Sequence, residues 1–268
     1  FQEGNALYNC AAVVSEGEVR GIVPKQHLPT YNEFYEKRWY QTWGARTTTT
    51  VQLGSARVPF GRDQLFQIGS QYVGIEICED LWVPEQPSIN LVANGATIIA
   101  NPSASPEAVA KASYRRGLVA HTAGRLATGY VYSSASPTES TAEIVMSGHA
   151  LINELGTPLA ERAPFSQQGP LFFADIDAAH IQHDRLKATN FPSRHDIVAT
   201  PTYVTPSQAT LERAIDPHPF VPKGSAEAIT ERFDTILNIQ ATGLAMRLRS
   251  ASIEKVVLGL SGGLDSTL

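Results

Sequence analysis

The chain has 268 residues, of which 43% are hydrophobic and 18% charged, and its formal net charge is −5 at pH 7. This size and composition predict a soluble globular protein with a sizeable core, in one large domain or in one domain and part of another. The negative charge argues against broad binding to nucleic acid or anionic membranes, and no apolar stretch has the roughly 20 residues needed to cross a bilayer.

Both ends of the sequence have the features of a cut. The first residue, Phe1, is not methionine, and residues 1–5 lack the basic start and apolar region of a signal peptide. The last residue, Leu268, falls where we expect a helix to begin. The two cysteines form no disulfide framework in a chain of this length, so we expect a reducing, cytoplasmic location.

Residues 1–192 alternate short apolar runs with loops, which is typical of strands. The predicted strands are 8–14, 21–24, 65–68, 72–78, 97–100, 129–133, 149–153 and 171–176. Residues 84–95 and 106–124 have the length and spacing of helices, and Glu16-Gly17-Glu18 predicts a hairpin turn. Strands mixed with helices indicate an α/β or α+β architecture.

Residues 196–223 are rich in proline, which interrupts helices and central strands. We interpret them as a linker between a first domain, 1–195, and a second domain that begins at residue 224; a long surface loop is the alternative. Beyond the linker, Ser225 is a candidate N-cap of a helix of about 25 residues, by its apolar spacing. An apolar run, 255–260, then predicts a buried strand.

Cys78 ends the predicted strand 72–78, and Lys25 follows the predicted strand 21–24. A thiol needs a base to become a nucleophile, and a lysine can stabilise the oxyanion that its attack creates. Taken singly, however, Cys78 would be a buried structural thiol and Lys25 a solvated surface residue. Cys10, within a predicted strand, is expected to be a core residue without chemistry.

Three segments together change this interpretation: PKQHLPTYNEFYEKRWY, GIEICEDLW and ANPSASP, in that order along the chain. Over residues 1–191 they resemble the nitrilase superfamily, most closely the glutaminase domain of bacterial glutamine-dependent NAD synthetases. The resemblance implies a nitrilase-like four-layer α-β-β-α sandwich, with no cofactor in this domain. It makes Cys78 the nucleophile and Lys25 the oxyanion-stabilising lysine. Glu36 matches an additional catalytic glutamate and Glu33 is the weaker candidate, although both could be solvated acids.

The same resemblance implies a glutamine pocket. Tyr31, Glu79 and Trp82 match positions that line it, and Glu79 would suit the α-ammonium of the substrate. Ser105 is the preferred contact in the third segment, with Ser103 as the alternative. Trp82 could instead be a core residue, and Ser105 could cap a helix that begins near residue 106.

Two further features concern charge in the glutaminase site. Arg115 and Arg116 could bind the substrate carboxylate, or they could lie on a solvated helix face. The family's general-base glutamate should lie well before the lysine, but Glu3, Glu16 and Glu18 do not stand in a matching segment. We therefore expect the base to lie outside this sequence, and residues 1–268 alone to be a poor glutaminase.

The segment LGLSGGLDSTL places a glycine turn between an apolar run and a helix start, where backbone N–H groups can bind phosphate. It resembles the pyrophosphate loop of the N-type ATP pyrophosphatases, whose domain is a doubly wound, adenine-nucleotide α-hydrolase-like fold. The resemblance implies ATP and Mg²⁺ as cofactors, with no metal ligand assigned in this chain; Asp265 could instead be a helix cap. The ATP-binding residues would be Ser261, Gly262, Gly263, Asp265 and Ser266.

The two resemblances together predict glutamine-dependent NAD synthesis. Ammonia released from glutamine would amidate ATP-activated deamido-NAD, in a cytoplasmic homo-oligomer. Two alternatives stay open. The amidase could serve a different ATP-activated carboxylate, or the nitrilase fold could be a non-catalytic scaffold.

Overall fold

The computed structural model describes residues 1–44, 48–166, 169, 171–202 and 213–268. The chain divides into two compact units, Phe1–Arg213 and Ala214–Leu268. The predicted linker, 196–223, spans this division. Its residues 203–212 lie outside the described part, so the linker stays a prediction.

The first unit contains three β-sheets and three α-helices in its described residues. The strands are β1 (Gln2–Glu3), β2 (Ala6–Leu7), β3 (Cys10–Ser15), β4 (Glu18–Pro24), β5 (Thr49–Leu53), β6 (Ala56–Phe60), β7 (Leu65–Ile68), β8 (Gln71–Ile75), β9 (Ile98–Ser103), β10 (Gly129–Ser134), β11 (Ala150–Glu154), β12 (Thr157–Arg162) and β13 (Thr200–Thr202). The helices are α1 (Pro87–Ala93), α2 (Lys111–Arg125) and α3 (Ala178–Lys187). The strand orders are β1-β2, β3-β4-β6-β5 and β12-β11-β10-β9-β8-β7-β13.

The predicted hairpin is confirmed between β3 and β4, which pair antiparallel from Ser15 and Glu18 onward. Glu16 and Gly17 both have positive φ, 52° and 76°, which is the backbone of a two-residue turn that matches the twist of a hairpin. β4 runs away from this turn and ends at Pro24. Lys25 therefore lies at the end of the four-stranded sheet that is remote from the turn.

The centre of the seven-stranded sheet consists of the parallel strands β8, β9 and β10, in which Ile75 aligns with Ala100 and Asn101 with Tyr132. The carboxyl ends of parallel neighbours meet at one edge of a sheet. The residues that follow β8, including Cys78, therefore lie beside the carboxyl ends of β9 and β10.

Three apolar clusters cover the faces of the two large sheets. α1 and α2 pack on the seven-stranded sheet through a core that includes Leu91 and Val119. The two large sheets meet through Val23 of β4 and Ile75 of β8. Because side chains alternate along a strand, Ile22 points to the opposite face of β4, into a cluster rich in aromatic residues. The described residues thus form helix, sheet and sheet layers, which confirms the predicted α/β class, and this aromatic cluster lies where the predicted fourth layer would pack.

The pairing partners of a segment explain where the predicted elements were wrong. Residues 171–176 form no strand, since Leu171 and Phe173 are exposed and no described strand pairs with them. β5, β6 and β12 were not predicted, because they are half-exposed strands with few apolar residues. α2 begins at Lys111 rather than near residue 106, because Ala110 has a left-handed backbone that cannot continue a helix.

The second unit contains α4 (Ala226–Ser250) and the short α5 (Leu264–Thr267). Ser225 is the N-cap of α4, as predicted, and its Oγ accepts a hydrogen bond from the Ala228 amide at 3.3 Å. The strand predicted at 255–260 is wrong in this structure: these residues are exposed, and no described strand pairs with them. The doubly wound second domain stays a prediction. Of the described helices, none is long and apolar enough to span a bilayer.

Gly21 tests the packing between the two large sheets, and Gly117 on α2 serves as its control. A Cβ at Gly21 would lie 2.6 Å from Gln64 Oε1 and 2.7 Å from Phe66 Cε1, whereas a Cβ at Gly117 of α2 meets nothing within 4 Å. We expect Gly21→Ala to lower the free energy of unfolding by about 1–3 kcal/mol through overpacking. Gly117→Ala, the control, should raise it by up to about 1 kcal/mol, because alanine favours helix. Urea denaturation measures both; equal effects would contradict the described packing.

Candidate active site

The Asp80 carboxylate lies at the centre of the candidate site and is almost completely buried. Its Oδ1 accepts hydrogen bonds from the backbone amides of Gln26 at 3.2 Å and His27 at 2.8 Å, and lies 2.9 Å from His27 Nδ1. Its Oδ2 accepts from the Ile77 amide at 2.9 Å. One carboxylate therefore fixes the residue after Lys25 and the residue before Cys78.

Cys78 begins a short 3₁₀ turn, Cys78–Leu81, directly after the extended residues that follow β8. It is buried, and its φ of 50° places a non-glycine residue in the left-handed region. Such a conformation costs about 1–2 kcal/mol, so the surrounding hydrogen bonds must hold it. The strained turn ends the run of the strand and turns the chain at the thiol.

Lys25 is buried to 1% exposure, and its Nζ lies 2.6 Å from Glu36 Oε1. Glu36 begins a 3₁₀ turn, Glu36–Arg38, whose first amide donates to the Pro29 carbonyl at 3.1 Å. A buried ammonium is stable only beside such a partner. The pairing places Glu36, rather than the exposed Glu33, at the lysine, and Lys25 is not the solvated residue that a lone lysine would be.

A second hydrogen-bonded network supports Cys78 from the parallel strands. The Cys78 amide donates to Asn101 Oδ1 at 3.2 Å, and Ser103 Oγ donates to the same oxygen at 2.7 Å. Asn101 Nδ2 donates to the Tyr130 hydroxyl at 3.1 Å, and Tyr130 donates to Glu76. Ser103 therefore serves the support of the turn.

Tyr31 and Glu79 form the rim of the site. The Tyr31 hydroxyl donates to both Glu79 carboxylate oxygens, at 2.8 and 3.0 Å. Partial burial, together with this bond to Glu79, raises the pKa of Tyr31 to about 12. Tyr31 is half-exposed and Glu79 is partly buried, so this pair lies between solvent and the buried Cys78.

Trp82 is partly buried against the helix-facing core and also forms one side of a cationic patch. Its ring stacks on Tyr114 at 5.5 Å, and Lys111 Nζ lies 5.8 Å from its centre. Burial, together with the neighbouring Arg115, lowers the pKa of Lys111. Lys111 was not predicted from the sequence. Trp82 thus packs against the core, and its role in a glutamine pocket stays a prediction.

Ser105 is buried at 3% exposure, and its amide donates to Ser134 Oγ at 3.3 Å. It cannot cap α2, because Ala110 is the N-cap of that helix. Ser105 thus lies beside the carboxyl end of β10.

The two arginines are both engaged in ion pairs. Arg115 is fully buried; its Nη1 lies 3.1 Å from Glu107 Oε2 and 2.6 Å from His149 Nδ1. Arg116 donates from Nε to Glu161 at 2.8 Å and is partly exposed. Arg115 is therefore not on a solvated helix face.

The remaining thiol and the early glutamates do not face the candidate site. Cys10 aligns with Pro24, next to Lys25, but its side chain packs in the aromatic cluster on the opposite face of the sheet. Burial raises the pKa of Cys10 to about 11, which leaves its thiol protonated, as expected for a core residue. Glu16 and Glu18 stand at the hairpin turn, at the far end of β4 from Lys25, about 23 Å along an extended strand. Glu3 is exposed in β1. None of these three occupies the place of a general base.

The glycine loop of the second unit is closed by its own serines. Ser261 Oγ lies 3.0 Å from Ser266 Oγ, and Ser266 Oγ also donates to the Gly263 carbonyl at 3.1 Å. Gly262 has a φ of 82°, which requires glycine. Asp265 lies inside α5 and does not cap it, because Gly263 is the N-cap. Among the described residues, no cluster of His, Cys, Asp and Glu could hold a metal ion.

Sequence reasoning missed the buried polar residues around Cys78, which are Glu76, Asp80, Asn101 and Tyr130. Glu76 and Asp80 flank Cys78 within the segment that the resemblance quoted, but an acidic residue is usually exposed. The apolar run around Glu76 and Asp80 could have indicated their role, because a carboxylate beside a buried strand must have hydrogen-bond partners.

The model of the carbon-nitrogen hydrolase family matches residues 1–186. The glutamine-dependent NAD(+) synthetase of Mycobacterium tuberculosis is 37% identical over 274 residues, which cover 97% of this chain and 40% of that protein. That of Thermotoga maritima is 30% identical, with 97% of this chain and 41% of the relative covered. The chain thus spans about two fifths of the length of the curated relatives that it matches.

Solved structures agree with this family. The crystal structure of a glutamine-dependent NAD(+) synthetase from Cytophaga hutchinsonii matches with a TM-score of 0.55 and 31% identity, over 62% of this chain and 26% of that one. A member of branch 10 of the nitrilase superfamily from Saccharomyces cerevisiae matches with a TM-score of 0.51 and 19% identity, over 72% of this chain and 61% of that one. The nitrilase-like fold predicted from the sequence is confirmed.

We expect Asp80→Asn to disconnect the two halves of the site. An amide keeps one acceptor oxygen and presents an NH₂ group to N–H donors, so at least one buried donor loses its partner, at a cost of about 1–3 kcal/mol. The free energy of unfolding should fall by that amount, and alkylation of Cys78 by iodoacetamide should change more than that of Cys10. Asp184→Asn, on the exposed face of α3, is the control and should change neither. An Asp80→Asn variant as stable as the control would contradict the assignment.

Proposed function

The chain belongs to the carbon-nitrogen hydrolase family, and from that premise we propose that residues 1–195 form the glutaminase part of a glutamine-dependent NAD synthetase. Linker 196–223 and the second unit would lead into the ATP-dependent part. The observation that carries the proposal is the Asp80 carboxylate, which joins the backbone beside Lys25 to the backbone beside Cys78.

The reaction would begin when Cys78 Sγ attacks the side-chain amide carbon of glutamine and the thiol proton passes to a carboxylate base. Lys25 would stabilise the negative oxygen of the tetrahedral intermediate, while the ion pair with Glu36 would hold the lysine in place. Return of the proton to the nitrogen releases ammonia and leaves a thioester on Cys78. Water then attacks the thioester and releases glutamate and the free thiol.

Glutamine would be recognised by its charged end. Glu79, with Tyr31 bonded to it, would bind the α-ammonium, and Lys111, which lies above Trp82, would bind the α-carboxylate. The two groups carry opposite charges, which matches a zwitterion. Ser105 would add a polar contact beside the thiol. Arg115 and Arg116 are not assigned to the substrate, because glutamate residues of the chain already pair with them.

The second unit would supply the opening of the ATP site. Ser261, Gly262, Gly263, Asp265 and Ser266 would surround the pyrophosphate of ATP, with backbone amides as donors. Deamido-NAD would be the substrate whose carboxylate is activated by ATP and then amidated by ammonia. Mg²⁺ would accompany ATP, and no ligand for it is assigned among the described residues. A cytoplasmic homo-oligomer is part of the same proposal.

We expect Cys78→Ala to separate the two nitrogen sources. With the protein expressed from its complete gene, NAD formation from ATP, deamido-NAD and glutamine should fall by at least about 10³-fold, because no other group can form the thioester. Formation from ammonium should be unchanged. The matched control, Cys10→Ala, removes the other thiol and should keep both reactions.

Three results would overturn parts of this proposal. A Cys78→Ala variant that still uses glutamine would make Cys78 structural. Loss of both reactions in the variant, with native stability, would place Cys78 in the synthetase chemistry. A wild-type protein that hydrolyses glutamine but makes no NAD would retain the amidase and exclude deamido-NAD as its acceptor.

A further inference from the structure

We propose that Glu76 and Tyr130 are positioning residues for Cys78, through a hydrogen-bond chain of fixed direction that ends on the Cys78 backbone amide. The inference rests on the proposed function in one respect, the assignment of Cys78 as the nucleophile. Neither Glu76 nor Tyr130 touches the thiol in the described contacts, so their effect must pass through Asn101.

The chain of contacts is continuous and buried. The Ser88 amide, in the first turn of α1, donates to Glu76 Oε2 at 2.9 Å. The Tyr130 hydroxyl donates to Glu76 Oε1, and Asn101 Nδ2 donates to the Tyr130 hydroxyl at 3.1 Å. Asn101 Oδ1 then accepts from the Cys78 amide at 3.2 Å. Glu76, Tyr130 and Asn101 are each no more than 1% exposed, so water cannot replace a member.

The direction of the hydrogen bonds in this chain follows from the chemistry of Glu76, its first member. An ionised carboxylate only accepts hydrogen bonds, so Glu76 commits the single proton of the Tyr130 hydroxyl. The hydroxyl oxygen can then only accept, and the NH₂ group of Asn101 must turn toward it. This leaves Asn101 Oδ1 facing the Cys78 amide, which is the orientation the amide needs. The charge on Glu76 thus selects one of the two orientations of Asn101.

Cys78 requires this orientation of Asn101 because its own backbone is strained. Cys78 has a φ of 50°, so its backbone is held in a strained turn by its contacts. Asp80 holds the preceding amide, of Ile77, and Asn101 holds the amide of Cys78 itself. With Asn101 reversed, two N–H donors would face each other at Cys78, and the turn would lose one of its two supports.

In the described part of the chain, the groups that shift the pKa of Glu76 include no cation. Burial raises its pKa to about 7, the bonds from Tyr130 and Ser88 oppose that rise, and the nearby Asp80 carboxylate adds to it. These groups lie on β10, on α1 and on the turn after β8, and β9 contributes the neutral Asn101. A raised pKa means that Glu76 is protonated below about pH 7 and ionised above it. The directed form of the chain is therefore the high-pH form.

Glu76→Gln tests the direction without changing the shape. The glutamine oxygen must accept from the Ser88 amide, so its NH₂ group faces Tyr130 and reverses the chain, as a protonated Glu76 would. We expect kcat for glutamine hydrolysis to fall about 10-fold or more at pH 8, with KM changed less than about 3-fold. At pH 5.5 the wild type should approach the variant, because its own Glu76 is then protonated.

Tyr130→Phe tests the same chain at its second link. It should also lower kcat at pH 8, and the double variant should be no worse than the worse single one, because both changes break one chain. Thr128→Val is the matched control: Thr128 is fully buried, and its hydroxyl donates to the Thr97 carbonyl at 2.9 Å, away from Cys78. It should leave kcat and its pH dependence unchanged.

The rate of Cys78 alkylation by iodoacetamide, read by mass spectrometry with Cys10 as internal reference, gives a readout that needs no glutaminase activity. Glu76→Gln and Tyr130→Phe should shift this rate at pH 8 and not at pH 5.5. The proposal is overturned if the ratio of wild type to Glu76→Gln is constant across pH, if the two effects add, or if Thr128→Val matches them. If the wild type does not hydrolyse glutamine, the proposed function fails, and the alkylation ratios alone then decide the positioning role.

Discussion

One buried carboxylate, that of Asp80, determines whether the two halves of the site meet. Lys25 follows a strand of the four-stranded sheet, and Cys78 follows a strand of the seven-stranded sheet, so no single element holds both. Asp80 accepts backbone hydrogen bonds from Gln26 and His27 on one side and from Ile77 on the other. Hydrogen bonds to an ionised acceptor are about twice as strong as neutral ones. The pairing of the sheets and the geometry of the site are therefore fixed together.

The site keeps three more charged or strained groups in place by the same means. Lys25 is buried and is balanced by Glu36 at 2.6 Å. Glu76 is buried, is shifted by no cation of the described residues, and depends on Tyr130 and an α1 amide. The strained Cys78 depends on two acceptors: Asp80 accepts from the Ile77 amide, and Asn101 accepts from the Cys78 amide. Each group would destabilise the fold without its partner. Loss of one partner should therefore change the position or reactivity of the Cys78 thiol.

The sequence indicates the chemistry better than its support. Cys78 and Lys25 were proposed as a pair because three segments of the sequence resemble a known family, whereas the hairpin turn at Glu16 could be predicted because it depends on two neighbouring residues. Asn101 and Tyr130 could not be assigned, since their roles depend on the register of parallel strands that are distant in sequence. The strand expected at 255–260 failed for a related reason: an apolar run becomes a strand only beside a partner, and the described residues offer it none.

In the mechanism that we propose, the Cys78 thiol held by this arrangement attacks the side-chain amide of glutamine. The most direct measurement is rapid quenching in acid during glutamine turnover, followed by mass analysis of the peptide that contains Cys78. We expect a fraction of this peptide to be heavier by one glutamyl group, the peptide with Cys10 to be unchanged, and hydroxylamine to remove the added mass. Steady turnover of glutamine with no added mass on Cys78 at any quench time, or with the group on another residue, would contradict it.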